Sequence, residues 1–155
     1  MDAKSLTPLE RLKIEARVMI PMVQAFQRAL GAEQANAIAR EVLLSCARAD
    51  GTRWAERFGN DLDALEKVWA VWASGGSIEM EGRQRTDEAL SFNVTRCRYA
   101  EFFQSLGLTE LGFLFCCNRD FAMVEGFSPG MSLTRSQTLM QGAGHCNFRY
   151  ETTKK

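Results

Sequence analysis

Apolar residues recur at helical spacing through the first part of the chain. Thr7-Pro8-Leu9-Glu10 has the form of a capping box with proline in the first turn, which predicts a helix start. Gly31 is suited to end this helix, and Pro21 predicts a kink or a break within it. Its apolar positions are Leu12, Met19, Val23, Phe26 and Leu30.

Two more helices are predicted before residue 77. One runs from about residue 33 to residue 48 and stops before Asp50-Gly51. Asp61 is placed to cap the next helix, which Ser74-Gly75-Gly76 ends. The apolar stripe of that helix consists of Leu62, Leu65, Trp69 and Trp72.

The spacing of apolar residues then changes to period two. Residues 78–81 and 90–97 alternate on either side of a charged stretch, which predicts a long antiparallel hairpin. Residues 131–139 and 145–151 predict a second hairpin across Gln141-Gly-Ala-Gly. Between the hairpins we expect a short helix over residues 99–106, closed by Gly107, and a longer one from Thr109 to Glu125, closed by Gly126.

These elements predict an α+β fold. N-terminal helices should pack on a four-stranded antiparallel sheet made of two hairpins, with helices between the hairpins. We expect a single domain over residues 1–155, helical in 1–76 and with the sheet and inserted helices in 77–151.

Composition narrows the classes of function. Nineteen basic residues balance nineteen acidic ones, which argues against nucleic acid or an anionic membrane as the partner. Apolar stretches fall far short of the ~20 residues of a spanning helix, and the start of the chain lacks a secretory signal pattern. Five cysteines without a small-scaffold pattern favour reduced thiols and a cytoplasmic location. A small molecule is then the expected partner, and a homo-oligomer is compatible with the sequence.

One predicted strand carries a polar face that ends in a cysteine. Period two places Ser91, Asn93, Thr95 and Cys97 on one side, and Leu90, Phe92 and Val94 on the core side. A solvent-facing strand is the simpler interpretation of this face. Cys97, at the strand end, is nevertheless where a site would lie.

The longer inserted helix places a carboxylate among thiols. Cys116 and Cys117 lie four and three residues before Asp120, so either thiol can neighbour the carboxylate. Both cysteines also fit a core role, which we prefer for Cys116 and for Cys46 on the second helix. Asp120 lies in a mostly apolar helix and needs a partner from another element. The candidates are Arg96, Arg135 and Arg149.

His145 and Cys146 resemble a catalytic pair in sequence but are neighbours on a predicted strand. Adjacent strand side chains point to opposite faces, so they do not form a nucleophile–base pair without a bulge. A zinc set of Cys97, Cys117, Cys146 and either His145 or Asp120 is the competing interpretation. It lacks the paired C-x₂-C spacing typical of zinc sites, and no dinucleotide, phosphate-loop or zinc-protease motif is present.

With these residues identified, the C-terminal half resembles the L-2-amino-thiazoline-4-carboxylate hydrolase family. The resemblance covers about residues 60 to 150, and Asn147 stands where an acidic residue is expected. The motifs that carry it are Asn93-Val-Thr-Arg-Cys97-Arg-Tyr-Ala-Glu-Phe-Phe, Leu106-Gly-Leu-Thr-Glu-Leu-Gly, Phe115-Cys-Cys117-Asn-Arg-Asp120 and Arg135-Ser-Gln-Thr-Leu-Met-Gln-Gly142-Ala-Gly-His-Cys146-Asn-Phe-Arg149.

The resemblance implies hydrolysis of a cyclic amidine, with 2-aminothiazoline-4-carboxylate opened to N-carbamoyl-cysteine. It implies a metal-independent cysteine hydrolase that needs no cofactor. Cys146, after the Gly142-Ala-Gly turn, is our first choice of nucleophile, then Cys97, with Cys117 in support. Asp120 is expected to bind the amidine or transfer protons. The substrate-binding candidates are Asn93, Arg135, His145 and Arg149. The alternative is a non-catalytic small-molecule or zinc-binding module that uses the same thiols.

Overall fold

The computed structural model describes residues 5–153, so residues 1–4, part of the segment searched for a secretory signal, lie outside it. The four strands form one antiparallel sheet in the order β1-β2-β4-β3. N-terminal helices precede this sheet and further helices connect its two strand pairs, so the predicted α+β fold is confirmed. The elements are α1 (Pro8–Leu30), α2 (Ala32–Phe58), α3 (Leu62–Trp72), β1 (Ile78–Arg85), β2 (Ala89–Cys97), α4 (Arg98–Ser105), α5 (Thr109–Phe115), α6 (Asp120–Phe127), β3 (Met131–Thr134) and β4 (Cys146–Thr152).

Helix α1 begins as the sequence predicts. The Thr7 side chain accepts the backbone N–H of Glu10, and the Glu10 carboxylate accepts the N–H of Thr7, which confirms the capping box. The helix continues through Pro21, so the break considered from the sequence does not occur. Pro21 is exposed, and the carbonyl group that its missing N–H leaves unbonded can therefore reach water.

Helix α2 is longer than predicted because Gly51 does not end it. The helix runs to Phe58 and packs closely on α6 where Gly51 faces Gly126. A Cβ atom on Gly51 would lie 2.1 Å from the backbone oxygen of Met123, and one on Gly126 would lie 2.0 Å from that of Arg48. The two glycines therefore serve close helix packing rather than helix termination.

Helix α3 covers the buried face of the sheet. Asp61 caps it as predicted, with its carboxylate accepting the N–H of Ala64 at 2.8 Å. The Trp69 ring packs edge-on against Phe92 and Phe148, with centroids 4.9 and 4.7 Å away. These contacts fix α3 against the two central strands, β2 and β4.

The predicted helix from residue 109 to residue 125 is wrong in its middle. Helix α5 ends at Phe115, Cys116 departs from helical geometry with ψ −71°, and a 3₁₀ turn spans Cys117–Arg119. Helix α6 then begins at Asp120 and includes Gly126. Asp120 is thus the first residue of a helix, where the helix dipole favours a negative charge.

The first strand of the second hairpin is shorter than predicted. Strand β3 ends at Thr134, and the chain then passes through a 3₁₀ turn at Leu139–Gln141 before β4. The Asn147 side-chain oxygen accepts the backbone N–H groups of Ser136 and Gln137, at 3.0 and 3.1 Å. A side chain of β4 therefore satisfies donors that strand pairing would otherwise satisfy.

The core consists of two apolar clusters. The sheet cluster lies between the sheet, α3 and α6, and includes Leu65, Trp69 and Phe148. The helix cluster lies among α1, α4 and α5, and includes Phe103 and Phe115. Cys97 and Leu139 contact both clusters, so the junction of the two clusters coincides with the candidate thiols.

Candidate functional site

A β-bulge turns Cys97 away from the face predicted for it. Glu79 pairs with Arg96 while the next residue, Met80, pairs with Val94, so Thr95 is an extra residue on β2. Leu90, Phe92 and Val94 are buried as predicted, but beyond the bulge Arg96 is exposed and Cys97 packs against the core. The bulge is what brings the Cys97 thiol to the interior side.

Asp120 pairs with Arg135, which is one of the three arginines considered from the sequence. Its guanidinium donates to Asp120 Oδ2 through Nη1 and to the Cys117 carbonyl through Nη2 at 3.0 Å. The Arg135 side chain is 3% exposed and lies over the rings of Phe121 and Phe148. Arg135 therefore ties the loop after β3 to the turn between α5 and α6.

The other two candidate arginines bind elsewhere. Arg96 pairs with Glu79 and Glu101 on the surface. Arg149 donates to the carbonyl groups of Phe92 and Phe148 and, at 2.9 Å, to the side-chain oxygen of Asn93. Asn93 and Arg149 thus lie on the sheet face opposite the buried Cys146, Phe148 and Tyr150, away from Asp120.

Asp120 has an acidity suited to proton transfer near neutral pH. Burial raises the pKa of its carboxyl group to about 6, against the opposing charge and hydrogen bond of Arg135 and the charge of Arg119. Its side chain keeps 23% of its surface exposed. At pH 7 the Asp120 carboxyl group is mostly ionised, and half of the molecules carry its proton about one pH unit lower.

Among the candidate thiols, Cys146 combines a backbone hydrogen bond with the nearby positive charge of Arg135. It is buried, and burial raises its pKa. The backbone N–H of Leu139 donates to Cys146 Sγ at 3.2 Å, and this bond and the charge of Arg135 act to lower the pKa. Hydrogen bonds and positive charge stabilise a thiolate, so the Leu139 turn and Arg135 are a partial activating environment.

The remaining thiols near Asp120 are held neutral. Burial raises the pKa of Cys97 to about 11; backbone hydrogen bonds from Ala100 and Tyr99 act to lower it, and the nearby charges of Cys146 and Asp120 add to the rise. Burial likewise raises the pKa of Cys116 and of Cys117 far above the ordinary value of a thiol. The charge of Asp120 acts to raise the pKa of all four of these cysteines, which we call the thiol group.

His145 lies outside this group. It precedes β4, is half-buried, and its backbone carbonyl accepts the Gln137 side chain at 3.0 Å. Among residues 5–153, no three His, Cys, Asp or Glu side chains are arranged so that they could hold a metal ion. The four zinc ligands considered from the sequence are therefore not assembled.

Sequence reasoning missed two tyrosines and the role of Asn147. The Tyr150 hydroxyl accepts the Trp69 indole N–H at 3.1 Å, and the Tyr99 hydroxyl donates to the Trp72 carbonyl at 3.0 Å. Burial raises the pKa of both phenols, and Asp120 acts on Tyr150 while Cys97 acts on Tyr99. Asn147 also donates to the Ser136 hydroxyl at 2.8 Å, which an acidic residue at this position cannot do.

Two cavities lie beside the helix cluster. One of about 340 Å³ is lined by Gln24, Gln27 and residues 107–111, and one of about 480 Å³ lies between α1 and α4. Neither is lined by Cys146, Asp120 or Arg135. Access of a ligand to the thiol group therefore does not run through these two cavities.

Comparison with known proteins identifies the family. The model of the L-2-amino-thiazoline-4-carboxylic acid hydrolase family matches residues 11–150. The chain belongs to this family. The match includes α1 and α2, beyond the segment whose motifs carried the resemblance. A search of curated proteins found no match to this hydrolase family member. In the described residues, none of its helices is long and apolar enough to cross a membrane.

Proposed function

We propose that this family member hydrolyses a small cyclic amidine carboxylate, with 2-aminothiazoline-4-carboxylate as the substrate to test first. The observation that supports this most is the coincidence of the family match with a buried thiol, a carboxylate and an arginine. The amidine carbon of such a ring is bonded to nitrogen and sulfur, and a thiol, a proton acceptor and an anion-binding group can together carry out its hydrolysis.

Cys146 is the proposed nucleophile. Its proton passes to Asp120, and Sγ then attacks the amidine carbon of the ring. The bond between that carbon and the ring sulfur breaks, and the ring sulfur leaves as a thiolate that takes the proton from Asp120. Water then attacks the same carbon and expels Cys146; one proton of the water goes to the former ring nitrogen and the other returns to Cys146. One water molecule is consumed, and N-carbamoyl-cysteine is released.

In this proposal, Asp120 transfers protons and Arg135 binds the substrate carboxylate. A carboxyl group with a pKa of about 6 can accept the thiol proton at neutral pH and return it within one turnover. Arg135 binds Asp120 through Oδ2, and we assign the transferred proton to Oδ1. Arg135 retains N–H donors beyond these two bonds, and we assign them to the substrate carboxylate, which must reach a side chain that is 3% exposed.

The raised pKa of the thiols favours a second candidate, a binding module without turnover. Neutral buried thiols provide a shaped surface for a small ligand but are weak nucleophiles. In that case the chain would bind 2-aminothiazoline-4-carboxylate in calorimetry and release no product. The two candidates therefore differ in a single measurement, product formation by the wild-type protein.

The test of the nucleophile is a set of cysteine variants assayed by mass detection of N-carbamoyl-cysteine. We expect Cys146→Ser to lower kcat by at least about a thousandfold, because a serine hydroxyl is a far poorer nucleophile without its own base. Cys46→Ser, at an exposed position on α2, is the matched control and should retain full activity. Turnover by Cys146→Ser at the wild-type rate would move the nucleophile to Cys97 or Cys117.

A further inference from the structure

Helix α1 carries a row of exposed apolar side chains that packing within the chain does not cover. The row recurs every fourth residue, and its members are between 45 and 61% exposed. A spacing of four rotates the row by about 40° per step, so the residues from Ile14 to Phe26 lie within about 120° of one another around the helix and Leu30 lies at the edge of the stripe. The row consists of Ile14, Val18, Met22, Phe26 and Leu30.

Helix α2 continues this surface with Ile38 and Val42, which are 49 and 57% exposed. The two helices are joined by Gly31 alone and contact each other through the Gln27–Asn36 side-chain hydrogen bond at 2.8 Å. Around the axis of each helix, the exposed apolar residues are displaced in the same rotational direction from the residue that makes this contact, Gln27 in α1 and Asn36 in α2. Because α1 and α2 run in opposite directions, the two stripes fall on one side of the pair, which we call the apolar face.

The apolar face is large enough for a stable protein interface. Seven half-exposed side chains of this size present on the order of 600 Å² of apolar surface, near the upper limit for one patch on a monomer. Each partner in a standard interface buries about 800 Å², which this face approaches before its polar border is counted. A patch at the upper limit of what monomers expose has the size that functional surfaces often have.

The charges around the face favour a second copy of the chain as its occupant. The flanking residues are of both signs, with Arg11 and Glu15 on α1 and Arg40 and Glu41 on α2. The whole chain has a formal net charge of zero, so two copies approach without long-range repulsion. A helix that binds an anionic membrane surface has instead a border rich in Lys and Arg.

We propose that the apolar face is the interface of a homodimer in which the α1–α2 pairs of two copies pack together. A two-fold axis through the face would place each row against its counterpart, as isologous interfaces require. The thiol group lies near the junction of the sheet and helix clusters, so each protomer keeps its own site. The proposal is independent of which reaction the site performs.

The test is the mass of the full chain in solution, by light scattering after size-exclusion chromatography and by sedimentation. We expect the wild-type chain of 17.4 kDa to have twice that mass. The double variant Met22→Glu/Val42→Glu should have the mass of one chain and an unchanged helical spectrum, since both positions are exposed. Met80→Glu, at an apolar position on β1 that is 39% exposed, is the matched control and should remain a dimer.

A second readout needs no variant of the apolar face. Cys46 follows Val42 by four residues on α2, is exposed in the single chain, and borders the face. Its alkylation rate in the wild-type protein should fall severalfold as protein concentration rises through the dissociation range. A wild-type mass of one chain with a concentration-independent Cys46 rate would overturn the proposal. So would a dimer that survives the double variant or that Met80→Glu dissociates.

Discussion

At the scale of single residues, the Asp120–Arg135 pair combines a structural contact with the chemical role that we propose for Asp120. Burial alone would keep the carboxyl protonated, and Arg135 alone would keep it ionised far below neutrality. The two effects oppose each other and leave the pKa at about 6. Asp120 also begins α6, so its position is fixed by the helix break that the chain makes at Cys116.

Replacing Asp120 should separate these roles. We expect Asp120→Asn to lower kcat by about 10² to 10⁴ per folded molecule, the usual effect of a lost proton acceptor. In the wild-type enzyme kcat should fall as pH drops below about 6, because protonated Asp120 cannot accept the thiol proton. Arg135→Gln removes the charge that opposes burial, so the pKa of Asp120 should rise further and kcat at pH 7 should also fall, together with a rise in KM from the lost carboxylate contact. The kcat of Arg135→Gln should recover as pH is raised, whereas that of Asp120→Asn should not; a loss in both variants that pH does not change would make the pair purely structural.

The same shift predicts an unusual pH dependence of stability. The folded state holds the Asp120 proton up to about pH 6, whereas the unfolded chain releases it near 3.8. Between these values the folded state binds more protons, so the contribution of Asp120 to the free energy of unfolding rises as pH falls from 6 to 4. Denaturant titrations of wild type and Asp120→Asn at pH 4.5 and 7 should show this rise in the wild type alone.

At the scale of elements, the sequence predicted which segments are helices and strands but not how they deviate. Periodicity identified α1, α3 and both hairpins, since burial of one face sets the spacing. It missed the break at Cys116 and the bulge at Thr95, because both depend on tertiary contacts. These two irregularities also determine where Asp120 and Cys97 lie, so the sequence proposed candidate residues without the backbone geometry that positions them.

The prediction that the second helix stops before Asp50-Gly51 is wrong for a related reason. From the sequence a glycine after Asp50 suggests a helix end, whereas in the structure it faces α6. Local signals do not distinguish a glycine needed for its backbone freedom from one needed for its small size. Similarly, Asn93 and Arg149 share motifs with the site residues but lie on the opposite face of the sheet, which sequence order alone does not reveal.

At the α2–α6 contact, we expect a Gly→Ala substitution to lower the free energy of unfolding, although alanine favours a helix more than glycine does. In an exposed helix, Gly→Ala stabilises by about 0.5–1 kcal/mol. In Gly126→Ala the new Cβ would meet the Arg48 backbone oxygen, and backbone cannot move aside without shifting α2. We expect a loss of about 2 kcal/mol or more in the free energy of unfolding, measured with denaturant. Gly144→Ala, where no atom lies within 4 Å of the new Cβ, should change it little. An unchanged free energy of unfolding in Gly126→Ala would show that α2 and α6 separate readily.

At the scale of the whole molecule, the thiol group lies where the two apolar clusters meet. Cys97 and Leu139 contact both clusters, and Leu139 also supplies the N–H that binds Cys146. A site at such a junction keeps its geometry only while both clusters remain packed. We therefore propose that residues 1–155 unfold as one cooperative domain, in which the sheet cluster and the helix cluster do not separate.

The three tryptophans allow a direct test of this cooperativity. Trp69 belongs to the sheet cluster, and Trp54 and Trp72 pack against it, so tryptophan fluorescence reports on that cluster. Phe103 is fully buried in the helix cluster, and Phe103→Ala should cost about 3–5 kcal/mol there.

If the chain unfolds as one unit, Phe103→Ala lowers two denaturant midpoints equally, the one measured by fluorescence and the one measured by far-ultraviolet circular dichroism. The slopes of both transitions stay unchanged. Met80→Ala, at an exposed position, should move neither midpoint. A fluorescence midpoint that stays at the wild-type value while the dichroism transition splits would mean that the clusters unfold independently and that the site can open without unfolding the sheet.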